Sequence, residues 1–172
     1  MKVDRADPGH QQIATFDIET THYDAAEGEV VSVGVGLHER GNPLSDMEMR
    51  QFHRRPDRDE EAVIRQAYDW IDEQSPDFLV SFNGRYFDTD FTDARLARLG
   101  ADPVRPSIDT DETHLDLLHD DRKQLADDNG DKFPSLEEVV ESYTGEAPPK
   151  HYWRGDELDN VRFGEELGPA YL

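Results

Sequence analysis

The chain has 172 residues, enough for one domain with a core of its own and too few for a second full one. Hydrophobic residues make up 35%, charged residues 34%, and forty acids against eighteen bases leave a formal net charge of -22. The absence of cysteine excludes disulfides, zinc-thiolate sites and thiol catalysis. Low hydrophobicity with high net charge is the composition of disorder. Here, however, the apolar residues cluster into periodic runs, which predicts a folded domain with a very acidic surface. The acids and the dominance of arginine over lysine suit a protein from a salt-loving organism, where salt screens the self-repulsion. Such a surface repels nucleic acid at low salt unless bound cations carry the contact to phosphate. No apolar stretch is long enough to span a bilayer and no secretory leader is present, so a cytoplasmic location and no membrane partner are expected.

Residues 1–10 are polar, carry Asp-Pro-Gly, and are expected to be a flexible N-terminus; residues 11–172 read as a single domain. A first strand is predicted from Gln12 to Ile18 and a second from Val30 to Leu37, where valine alternates with serine and glycine. Gly41-Asn42-Pro43 marks a turn, and Met47 to His53 alternates again as a third strand, completing an antiparallel meander. The period then changes. Ala62, Val63, Ala67, Trp70 and Ile71 recur at helical spacing between Asp59 and Gln74, with Trp70 expected in the core. Asp77 to Phe82 reads as a short buried strand, and Asp88 to Leu99 as a helix closed by Gly100. His114 to Leu118 is a last strand, running into a polar helix to about Ala126. Ser135-Leu-Glu-Glu138 is a capping box opening a helix whose buried stripe is Leu136, Val139, Val140 and Tyr143. The order predicts an α/β fold, a mixed five-stranded sheet of meander plus parallel strands, flanked by helices.

The chemistry concentrates in Ala14-Thr-Phe-Asp-Ile-Glu-Thr20. On a strand, residues i and i+2 share a face, so Asp17 and Glu19 project together while Phe16 and Ile18 face a core. Adjacent carboxylates repel unless a cation or a proton sits between them. A pair of divalent ions about 3.5–4 Å apart, as in phosphodiester-cleaving sites, fits this arrangement best. A second segment, Leu79 to Asp90, ends a buried strand at Phe82, turns at Asn83-Gly84, and places Asp88 at a helix start. That is the carboxyl end of a parallel strand, where α/β proteins place their sites. Alone, Asp88 would read as a helix cap; with Asp17 and Glu19 it reads as a third ligand.

Together these segments resemble the 3′–5′ exonucleases with four acidic ligands, the DEDD superfamily of the ribonuclease-H-like fold. They are most similar to the proofreading domain of B-family DNA polymerases and its stand-alone relatives. Phe16 to Thr20 matches the F-D-I-E-T motif letter for letter, and Asn83, Gly84, Phe87 and Asp88 match N-G-x-x-F-D. His114 to Leu117 resembles H-x-D-L, and Leu136 to Gly145 resembles L-x-x-V-x-x-x-x-x-G. The resemblance covers roughly residues 12–150. It implies hydrolysis at single-stranded DNA or RNA 3′ ends with two divalent ions, Mg²⁺ or Mn²⁺. By position Asp17 would bridge both ions, Glu19 would hold the one that activates the attacking water, and Asp88 the one beside the leaving oxygen. Thr20, Asn83, Gly84 and Phe87 would line the pocket for the terminal nucleotide.

The family pattern is incomplete here. Its fourth ligand is the Asp of a Y-x-x-x-D motif that the resemblance places on a later helix, about thirty residues past Tyr143-Thr-Gly-Glu146; Tyr152 and Asp156 have that spacing but come earlier in the chain. The expectation is a chain truncated near this helix; otherwise Asp156, Asp159, Glu165 or Glu166 substitutes, or the domain is a weak or inactive nucleic-acid-binding module. A ribonuclease H or junction-resolving endonuclease, or an acidic ion-binding protein, are further alternatives. The first lacks a use for the Asn83–Asp88 motif, and the second lacks a D-x-D-x-D-G loop. Asp116 is expected to serve strand-end structure, and His114 and His119 to pack or lie at the surface. Two basic clusters could meet a phosphate backbone: Arg54, Arg55 and Arg58, and Lys150 to Arg154, where Tyr152 and Trp153 suit stacking on single-stranded bases.

Overall fold

A computed structural model describes residues 9–122 together with Ser135, Leu136, Glu138, Glu141 and Gly145. Its strands are β1 (Gln12–Thr20), β2 (Val30–Glu39), β3 (Glu48–His53), β4 (Phe78–Ser81) and β5 (His114–Asp116). Two helices, α1 (Glu60–Gln74) and α2 (Asp88–Leu99), connect the later strands. The sheet has five strands in the order β3-β2-β1-β4-β5. β1 pairs antiparallel with β2 and β2 with β3, whereas β4 runs parallel to both β1 and β5. The meander and the parallel extension are as the sequence predicts. β1 and β2 each run two residues further than their apolar runs suggested.

Each helix folds for local reasons. Asp59 caps α1 by accepting a hydrogen bond from the Ala62 amide at 2.9 Å, and Ser75 ends it in the left-handed region. Val63, Ile64, Ala67, Tyr68, Trp70 and Ile71 form its buried stripe. α2 ends at Gly100, whose φ of 75° suits glycine at a helix terminus. The helices meet where the buried Tyr68 hydroxyl and Thr92 Oγ1 lie 2.9 Å apart. Phe16, Ile18, Val33, Val35 and Leu79 of the sheet close the core against Tyr68, Phe91 and Leu96. Phe16 stands edge-on to Tyr68 with ring centroids 6.1 Å apart.

After β5 the chain enters a π-helical turn, Leu117–Arg122, in place of the start of an ordinary polar helix. The capping box at residue 135 is present: the Ser135 amide donates to Glu138 Oε2 at 2.8 Å, and the Glu138 amide to Ser135 Oγ at 3.3 Å. Leu136, assigned from sequence to a buried stripe, is instead 45% exposed. It directly follows the cap, in the first turn of its helix. Val139, Val140 and Tyr143 lie outside the described residues. Among the described residues no helix is long and apolar enough to cross a membrane.

Candidate active site

β4 pairs with β1 only over Ile13, Ala14 and Thr15, whereas β2 stays with β1 through Thr20. From Phe16 onward β1 therefore has no parallel neighbour, and α2 begins beside this free edge. Along the overhang Phe16 and Ile18 are buried while Asp17 and Glu19 are exposed, the alternation a strand imposes. Asp88 is the first residue of α2 and is 3% exposed. Phe87 occupies the cap position and makes no side-chain capping bond, so the Asp88 carboxyl is not spent on a helix cap. A backbone hydrogen bond from Ile18 reaches it instead, tying the start of α2 to the free edge of β1.

The three carboxyls feel one another. Asp88 is pushed up to about 8, first by burial and then by the charges of Asp17, Asp116 and Glu19, against the opposing pull of the Ile18 amide. Asp17 is raised by loss of water, with its own bond from Ile18 working the other way. Glu19 is raised by loss of water and by the charge of Asp17. Asp17 and Glu19 still reach solvent, so their desolvation is partial. At neutral pH the cluster thus holds a proton at Asp88 where a cation would serve equally well. Carboxylate oxygens alone suit a hard ion such as Mg²⁺ or Mn²⁺. The carboxyls are electrostatic neighbours rather than a closed ligand set: among the described residues no three His, Cys, Asp or Glu side chains are gathered tightly enough to hold an ion.

The turn before α2 is built around two residues with different duties. Asn83 adopts φ 67°, the left-handed conformation that asparagine tolerates better than most side chains. Gly84 is needed for space: a Cβ there would lie 2.5 Å from Ser81 Cβ and Oγ and 3.1 Å from Asp88 Oδ2. Asp116 holds the turn from below. Its fully buried carboxylate accepts from the amides of Asn83 at 3.0 Å, Arg85 at 3.1 Å, Leu118 at 3.0 Å and His119 at 3.2 Å. This is the strand-end structural duty expected of it. His114 is fully buried, whereas His119 Nε2 lies 2.9 Å from Asn83 Oδ1 and its ring sits 4.0 Å from that of Tyr86.

Of the residues expected to line a nucleotide pocket, Phe87 borders a cavity of about 320 Å³ shared with Tyr23, Asp24, Tyr86, Asp90 and Phe91. Asn83 and Gly84 are not in its wall. Thr20 turns its hydroxyl to the His22 carbonyl at 3.0 Å, fixing the loop after β1. Tyr152 and Trp153, with the rest of their basic cluster, lie outside the described residues. In the other basic cluster, Arg54 is paired with Glu29. Sequence reasoning missed the exposed aromatic pair Tyr23 and Tyr86, 79% and 56% accessible. Tyr86 occupies a variable place inside the Asn83–Asp88 motif, and Tyr23 lies three residues past Thr20, so nothing in the pattern marked either.

A mixed five-stranded sheet with carboxyls on its central strand and at the helix start after a parallel strand is a ribonuclease-H-like architecture, a nuclease-type fold. The family model RNase_H_2, of the RNase_H superfamily, matches residues 14–142, and the chain belongs to that superfamily. Among solved structures, the family B DNA polymerase from the hyperthermophilic archaeon Pyrobaculum calidifontis is similar in fold, with a TM-score of 0.63 at 19% identity. The match covers 98% of this chain and 23% of the polymerase, so the chain spans about a quarter of that protein's length. No curated protein matches the sequence.

Proposed function

We propose that the chain is a divalent-metal-dependent 3′–5′ exonuclease acting on single-stranded DNA or RNA ends. The observation that carries this reading is that Asp88, on a separate element from Asp17 and Glu19, is raised to about 8 by burial and then by the charges of Asp17, Asp116 and Glu19. In this reading Asp17, Glu19 and Asp88 supply the oxygen ligands, and the free edge of β1 leaves room for a phosphodiester above them. Two divalent ions, Mg²⁺ or Mn²⁺, would neutralise charge growing on the phosphate and make bound water acidic enough to attack. Phe87 and the neighbouring tyrosines would hold the terminal base against the cavity wall, and Asn83 and Gly84 would shape the turn that brings Asp88 into place. Thr20 would set the loop beside them, while Tyr152 and Trp153 would stack on bases further along the strand.

The test is an oligonucleotide labelled at its 5′ end, with the 3′ end free or blocked, incubated with Mn²⁺ in high salt. Shortening from a free 3′ end, stopped by chelation and by Asp17→Asn, supports the reading; internal cutting that ignores the block defeats it. A second reading has its own observation: Tyr152 to Asp156, the one Y-x-x-x-D spacing downstream of residue 145, comes earlier in the chain than the resemblance places that motif. It is a nucleic-acid-binding module of the same fold with weak or no catalysis, and it predicts oligonucleotide binding without shortening.

A further inference from the structure

A hydrogen-bonded chain crosses β4 and β5 behind the turn that carries Asp88. Ser81 Oγ lies 2.7 Å from His114 Nε2, and His114 Nδ1 lies 2.6 Å from Asp109 Oδ1. The three side chains are nearly sealed: His114 is fully buried, and the Ser81 residue and the Asp109 side chain are each 5% exposed. The order of groups resembles a nucleophile–base–acid triad. With Ser81 only 5% exposed, its hydroxyl is spent on His114 rather than offered to a substrate, so the relay has other work.

Hydrogen-bond chemistry fixes its direction. A carboxylate only accepts, so His114 donates from Nδ1 to Asp109. In the neutral ring Nε2 is then an acceptor, and the Ser81 hydroxyl donates to it. Arg105 anchors the far end, its guanidinium 3.4 Å from Asp109 Oδ2. With its hydroxyl held, Ser81 presses against Gly84, at the position where a Cβ would lie 2.5 Å from Ser81 and 3.1 Å from Asp88 Oδ2.

We infer that Asp109, His114 and Ser81 are positioning residues, a buried relay that sets the Asp88 carboxylate through the backbone of Gly84. The inference rests on the proposed metal-dependent reading for its consequence, but its geometry has a readout of its own. The Ile18 amide bonds to Asp88, so its NMR resonance in metal-free protein reports where that carboxylate sits.

The experiment compares wild type with Ser81→Ala, Asp109→Ala and Asp109→Asn in the full chain. It measures the Ile18 amide shift without metal, Mn²⁺ affinity by calorimetry, and kcat against KM on an oligonucleotide. Expected are a displaced Ile18 resonance and a Mn²⁺ affinity about 10–100-fold weaker in the alanine variants, the usual cost of losing an outer-shell partner. Loss should fall on kcat rather than KM. Asp109→Asn, which keeps an oxygen for His114, should recover most of it. Folded Ser81→Ala and Asp109→Ala proteins with an unmoved Ile18 amide overturn the relay. A wild type that binds no Mn²⁺ and cuts nothing overturns the nuclease reading instead, and the Ile18 shift then decides the relay alone.

Discussion

Arg95 and Glu60, thirty-five positions apart, meet as a two-pronged ion pair between α2 and the first turn of α1, with Nε to Oε1 at 2.8 Å and Nη2 to Oε2 at 3.0 Å. Glu60 Oε1 also accepts the Val30 amide at 2.7 Å, and Arg95 Nη1 donates to the Ala25 carbonyl at 3.0 Å. One pair thus fastens both helices to the start of β2 and to the loop bordering the candidate site. Bidentate geometry and these extra bonds satisfy charges that burial would otherwise penalise. Removing one partner strands the other, so Arg95→Ala or Glu60→Gln should cost about 3–5 kcal/mol in urea unfolding. A double replacement with apolar residues of similar volume should recover much of that. A double-variant loss equal to the sum of the two single losses would show that the pair is not coupled.

Asp88 gives a pH dependence with a definite sign. Its native value of about 8 lies above the ordinary 3.8, so between those limits the native state holds a proton that the unfolded chain has lost. Stability from this group is fully present below about pH 4 and declines as pH rises toward 8, by at most about 1.4 kcal/mol per unit. Asp88→Asn lacks the titration. In chelator it should match wild type near pH 4 and exceed it at pH 8 by about 1–3 kcal/mol, well short of the full titration span because water penetration relaxes buried sites. A wild-type advantage at pH 8 would contradict the crowding of carboxyls described above.

Gly84→Ala tests the close approach at the turn. A methyl group placed 2.5 Å from Ser81 forces the turn outward. The expected cost is about 1–3 kcal/mol, typical of overpacking. Mn²⁺ affinity should fall with it, because Asp88 Oδ2 lies against the same space. Thermal unfolding and calorimetry on one preparation measure both.

A net charge of -22 on 172 residues makes the folded state repel itself. Raising salt from 0.1 M to 1 M shortens the screening length from about 10 Å to about 3 Å. Tm should climb through that range in KCl. A melting point that falls across it would mean that the attractive pairs, such as Arg105 with Asp93, outweigh the repulsion.

What could be read in the sequence was local. The bounds of α2 followed from apolar spacing and Gly100, and the capping box at Ser135 from residues three apart. The same-face placement of Asp17 and Glu19 followed from strand alternation. What escaped depended on partners far along the chain. Glu60 lies outside the apolar stripe read for α1, yet it is buried because Arg95 and the Val30 amide come to it. His114 looked like a packing histidine until the loop brought Asp109 and the neighbouring strand brought Ser81. The strand ends were short for another reason: Glu19, Thr20 and Glu39 are polar residues that the ladder to a neighbouring strand nevertheless keeps extended.

The unequal lengths of β1 and β4 divide nine residues into two inheritances. Ile13, Ala14 and Thr15 are clamped between strands on both sides, so substitutions there should register as lost protein, in yield and melting temperature. Asp17 and Glu19 stand on the stretch with a neighbour on one side only, so substitutions there can spare the fold and register as lost ligand. A mutational scan of this strand should therefore split at Phe16 into an abundance phenotype and a binding phenotype, and the boundary could be mapped without knowing the substrate.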